Sequence, residues 1–154
     1  MNKNTFVLLF VLLFFAHCEL ENKSAPRASQ GYNLIPIPSS LTPKTGQFVL
    51  NSKTILVNAG GEKTEKVALY LLQKIRQSTA YQLVLKNERV EKNSITFELD
   101  ESLSAEEGYV LLVTVDKVVM KARTAKGLFY AVQTLRQLLP PSFESLQKVD
   151  NQVW

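Results

Sequence analysis

The sequence predicts an α+β fold: a two-layer domain in which a mostly antiparallel sheet carries two helices packed on one face. Three observations lead there. Leu128, Ala131, Val132, Leu135, Leu138 and Leu139 recur at helical spacing and form one apolar stripe. Just before them, Tyr109, Leu111, Val113 and Val115 alternate along one strand, and Val118, Met120 and Ala122 along its return. An apolar sheet face needs a cover, and the adjacent helical stripe supplies one. The order strands, helix, strands, hairpin, helix, with short connections between, completes the pattern of a layered domain.

The elements follow in chain order. Lys3 and the unbroken apolar run Phe6–Ala16 read as a signal peptide over residues 1–18, since a membrane-spanning helix needs about 20 apolar residues. Phe15-Ala16-His17-Cys18 resembles a bacterial lipobox, with Cys18 as the lipid attachment site, although His17 stands where a small residue is usual. Ordinary cleavage after Cys18 is the alternative. Both readings place the protein outside the cytoplasm, at a bacterial cell surface, in the outer membrane or in the periplasm. Residues 19–31 are polar and aperiodic, a flexible tether.

The folded part is expected from Tyr32. Leu34, Ile35 and Ile37, interleaved with Pro36 and Pro38, are extended but cannot be a central strand, because proline donates no ladder hydrogen bond. Phe48–Leu50 and Thr54–Val57 read as short strands. Gly60-Gly61 breaks the chain before a helix over Glu62–Gln77, buried through Val67, Leu71, Leu72 and Ile75. Tyr81, Leu83 and Leu85 alternate as a strand, as do Ile95, Phe97 and Leu99, with a charged turn over Asn87–Asn93 between them. Asp116-Lys117 is the expected hairpin turn, although it lacks the glycine that the tightest turns prefer. Thr124 caps the last helix, and Pro140-Pro141 ends it.

Composition excludes several classes. With 45% hydrophobic and 21% charged residues, 154 residues suffice for one domain with a real core. The net charge is +4, but the basic residues are scattered, so no nucleic-acid partner is expected. One Cys and one His rule out a disulfide framework and a self-contained zinc site.

Several segments carry a resemblance. The Gly108-Tyr109 strand start, the Lys121-Ala122-Arg123-Thr124 connector, the string Gly127–Pro140 and the earlier Leu34-Ile35-Pro36-Ile37-Pro38 resemble the non-catalytic domain that precedes the barrel in glycoside hydrolase family 20, the β-N-acetylhexosaminidases. The resemblance implies a supporting domain over residues 32–147. It also implies that residues 148–154 begin a linker to a catalytic barrel absent from this chain, whose Val-Trp end reads as an interruption. The partner implied is that barrel, and glycan is met only through it. No cofactor is implied. Related domains precede barrels in families 84 and 67, so an O-GlcNAc hydrolase, a hyaluronidase-type enzyme or an α-glucuronidase is an alternative parent. A stand-alone glycan-binding surface lipoprotein is another.

Candidate chemistry is sparse. Family 20 enzymes use adjacent Asp and Glu at a strand end: the substrate acetamido group attacks the anomeric carbon, Asp orients it, and Glu protonates the leaving oxygen. Here a strand runs into Asp100-Glu101, but Thr96-Phe97-Glu98-Leu99 replaces the family's preceding His and Gly-Gly, and Ser102 and Ser104 follow as in an exposed turn. The turn reading is adopted. Gly60-Gly61 lacks a following phosphate-loop Lys, so it is read as a helix start. Phe129 is expected in the core and Tyr130 half-buried with a wet hydroxyl, although both could stack on a sugar ring. No catalytic, substrate-binding or metal-ligating residue is assigned, and this chain is expected to hydrolyse nothing by itself.

Overall fold

The structure, a computed structural model, describes residues 31–144 and 152–153. The predicted signal peptide, Cys18, the tether and most of the predicted linker lie outside the described residues. Strand β1 (Val49–Leu50) is followed by β2 (Ile55–Asn58), α1 (Glu62–Ser78), β3 (Val84–Lys86) and β4 (Ser94–Leu99). The hairpin β5 (Tyr109–Val113) and β6 (Lys117–Ala122), helix α2 (Ala125–Gln137), a 3-10 turn at Pro141–Glu144 and β7 (Gln152–Val153) complete the order.

Five strands form one sheet in the order β3-β2-β4-β6-β5, and β1 pairs separately with β7. Both helices cover the same face. Leu56, Ile95, Phe97, Val118, Met120 and Ala122 from the sheet meet Val67, Ala68, Leu71 and Ile75 of α1 and Leu128, Ala131, Val132 and Leu135 of α2 in one core. Each large apolar side chain buried there contributes about 1.5–3 kcal/mol against solvent exposure. The α+β class and the two-layer arrangement are as the sequence predicts.

The sheet is mixed, not mostly antiparallel. β2 runs parallel to β3 and to β4, β4 runs parallel to β6, and only β5 and β6 are antiparallel. The reason lies in two connections. α1 carries the chain back to the start of the sheet, so β3 must follow β2 in the same direction. The charged segment 87–93, which resembles a hairpin turn, is instead a crossover: Leu85 and Ile95 both sit level with Leu56, on opposite sides of it. The segment runs over the sheet's outer face. Ser94 Oγ donates to Val90 O at 2.9 Å, Arg89 pairs with Glu98 at 3.5 Å, and Glu91 pairs with Lys117 at 2.9 Å.

Three smaller expectations also need correction. The hairpin loop is Val115-Asp116, one residue earlier than Asp116-Lys117. Thr114 closes it, donating from N and Oγ1 to Lys117 O and accepting from Lys117 N. A threonine hydroxyl thus does the closing that a glycine-based turn would do through backbone alone, and Val115 leaves the inner face, 62% exposed. The Tyr81–Leu85 strand is reduced to Val84–Lys86, yet Tyr81 and Leu83 are buried as their alternation predicts. Phe48–Leu50 contributes β1, which pairs not with the main sheet but antiparallel with Gln152–Val153.

Both helix starts are explained locally. Thr124 Oγ1 accepts from Gly127 N at 3.3 Å and donates to Glu106 O at 2.6 Å, joining the α2 cap to the loop before β5. At α1, Gly61 adopts φ +64 and Gly60 lies under Thr64, whose hydroxyl would meet any Cβ there at 2.4 Å. Thr64 donates to Asn58 Oδ1, and Asn58 Nδ2 donates to Gly61 O at 2.8 Å. Gly60 therefore serves close packing between β2 and α1, and Gly61 the left-handed turn between them.

Candidate functional site

Asp100 and Glu101 lie just past the end of β4, where the chain turns away from the sheet. Asp100 N donates to Ala122 O at 2.9 Å, which fixes the backbone. Its Oδ1 accepts from Ser102 N at 3.0 Å and from Ser102 Oγ at 2.5 Å. Those hydrogen bonds, hydroxyl first and amide second, hold the carboxyl below its ordinary value, and Lys121 adds a smaller electrostatic pull. A proton donor needs the opposite shift. Glu101 is exposed beside it, and neither carboxylate lines the cleft under segment 87–93 or the one beside Gln133, Arg136 and Pro140.

Two ion pairs shift the titration of a member. Glu91 is held below its ordinary value by its hydrogen bond to Lys117 and then by that charge. Lys126 is raised by its hydrogen bond and ion pair with Glu107. Both pairs are exposed, so they tie segments together rather than create a reactive group.

The outward side of α2 holds what periodicity did not reveal. Phe129, expected in the core, is 40% exposed. Its ring packs on Tyr70 of α1 at 5.5 Å and edge-on to Tyr130 at 6.2 Å, and Tyr130 is 37% exposed. The physical reason for the correction is that Leu128, Ala131, Val132 and Leu135 already fill the inward stripe, which rotates Phe129 to the helix–helix seam. The interplanar angle of 62° between Phe129 and Tyr130 keeps their rings from forming one flat platform.

Arg136 bridges three elements from the same helix. It donates from Nε to Glu144 Oε1 at 2.8 Å and from NH1 to Tyr70 OH and Gln133 Oε1, each at 2.8 Å. Gln133 Nε2 is buried with no hydrogen-bond partner among the described residues. One turn on, Gln137 grips the backbone of Ile35: Ile35 N donates to Oε1 at 2.8 Å, and Nε2 donates to Ile35 O at 2.9 Å. The sequence marks Gln133, Arg136 and Gln137 as a polar side, but their long-range partners leave no periodic trace.

Comparison with known proteins now gives the class. Residues 31–151 match the family described as glycosyl hydrolase family 20, domain 2, and the chain belongs to that family. Among individual proteins, it is 33% identical over 142 residues to the β-hexosaminidase of Porphyromonas gingivalis, covering 90% of this chain and 18% of that one. The solved β-N-acetylhexosaminidase of Streptomyces coelicolor A3(2) superposes with a TM-score of 0.68 at 32% identity, over 77% of this chain and 24% of that one. The N-acetyl-β-hexosaminidase of Streptomyces plicatus gives 0.70 at 29% identity, over 78% and 25%. The chain thus spans about a quarter or less of the relatives it matches.

Proposed function

We propose that this chain is the non-catalytic supporting domain of an exported β-N-acetylhexosaminidase. The parent removes terminal N-acetylhexosamine from glycans, and its acid and sugar-binding groups reside on a catalytic barrel outside these residues. The relatives' names supply the activity, and their greater length supplies room for the barrel. The observation that carries the non-catalytic role is the Asp100 turn. There Asp100 is half-buried with its carboxylate oxygen committed to Ser102, and Glu101 is exposed. Chemistry assisted by the substrate's own acetamido group asks for no metal or cofactor.

A nitrophenyl N-acetylglucosaminide tests this directly. The 154-residue chain is expected to leave it intact, and the product of the reading frame extended past Trp154 to cleave it. Cleavage by the short chain would overturn the division of labour. Export rests on the Lys3 and Phe6–Ala16 pattern, and anchoring on Cys18. In cells, the wild-type protein is expected to partition into detergent and Cys18→Ser into the aqueous phase. Equal partition would remove the lipid anchor from the account.

A further inference from the structure

The main sheet ends in two unlike edges. On one side β3 offers three residues and finishes on Lys86, a short and charged edge of the kind that resists further pairing. On the other side β5 offers Tyr109–Val113, five residues without charge or proline, and its register against β6 runs with no bulge. Thr114 N donates to Lys117 O at 3.0 Å, and backbone bonding alternates from that pair. Leu112 and Val110 therefore bond to β6, while the N–H and C=O of Tyr109, Leu111 and Val113 point away from it. Ala122, opposite Tyr109, obeys the same alternation, since its O accepts from Asp100 N at 2.9 Å on the far side of β6. Among the described residues no backbone hydrogen bond reaches the outward groups of β5. The side chains repeat the pattern. Tyr109, Leu111 and Val113 pack toward the core, whereas Val110 and Leu112 stand on the outer face, 47% and 40% exposed.

We infer that β5 is a self-association edge, on which a second copy of this chain pairs its own β5 antiparallel about a two-fold axis through Leu111. The inference is independent of the proposed function. The geometry selects a second copy because the strand is its own complement. With the axis at Leu111, Tyr109 lies opposite the partner copy's equivalent of Val113, and all the outward groups meet outward groups, each such pair exchanging two hydrogen bonds. The same register sets Val110 of each copy directly across from Leu112 of the other, at the closer spacing of a non-hydrogen-bonded pair. Val119 is the β6 neighbour of Leu112, so the apolar row Val119-Leu112-Val110 continues across the axis into its own repeat. No charge within the strand opposes the pairing. A contact of this length spans about 17 Å and buries less than the ~1,200 Å² at which standard interfaces begin, so the dimer is weak and reversible.

Residue-resolved hydrogen exchange of the 154-residue chain, read from micromolar to millimolar concentration, tests the pairing. Exchange at the Tyr109, Leu111 and Val113 amides is expected to slow by about threefold or more with concentration, as the average mass in sedimentation rises. Val110 and Leu112, already bonded to β6, are expected to keep their rates. In Val110→Lys/Leu112→Lys each copy sets two ammonium groups opposite the partner's, and dimer dissociation is expected to rise at least about tenfold. Exchange at the three outward amides that ignores concentration overturns the inference. So does protection already complete at micromolar concentration, which would assign the edge to another segment of the same chain. A dimer that survives the double variant undiminished also overturns it. Should the variant fail to fold, the alternating pattern in the wild-type chain decides alone.

Discussion

At Asp100 a single hydroxyl decides how a carboxylate behaves. Ser102 donates twice to it, from Oγ and from N, so the folded carboxyl titrates below the unfolded one. The corresponding stability is present above the unfolded value, near pH 3.9, and is lost as pH falls through the lower folded value. Ser102→Ala keeps the amide donor and removes the stronger one, so the Asp100 carboxyl resonance is expected to titrate at a higher pH than in the wild type. An unchanged midpoint would show that the hydroxyl bond is not formed in solution. This residue was legible because Asp followed by Ser is turn chemistry that acts within a few residues. Thr124 was legible for the same reason, a cap being a local bond. Phe129 was not, because whether a ring faces core or seam depends on how far the inward stripe is already filled.

Among the elements, α2 and β5 meet at a glycine. A Cβ on Gly127 would lie 2.5 Å from Gly108 O and 2.8 Å from the Ala122 Cβ, so backbone would have to move to admit it. In an exposed helix interior, Gly→Ala stabilises by about 1 kcal/mol. Here the sign reverses, and Gly127→Ala is expected to cost about 1–3 kcal/mol through overpacking, measurable by urea unfolding. Stabilisation would mean that the helix stands further from the hairpin than described. The two helices and the hairpin could be read from apolar spacing because each closes within its own segment. Strand direction could not. Segment 87–93 has the length and charge of a reversing turn, and only the pairing of both Leu85 and Ile95 with Leu56 reveals a crossover. The β1–β7 pair was hidden for a related reason: two-residue strands far apart in sequence carry no period.

For the molecule as a whole, the proposed role divides labour between a domain that supplies apolar cover and a barrel that supplies chemistry. The assays on the short and extended products address that division. The order of the sheet also bears on biogenesis. β2 has neighbours on both sides, and both are made after it. During synthesis, Leu56 and Val57 emerge well before either partner strand exists, and the first neighbour to form, β3, offers three residues. Parallel pairing across such separations is slow to nucleate. Until Ser94–Leu99 has been made, this greasy segment lacks its longer sheet neighbour and stays open to water on that side.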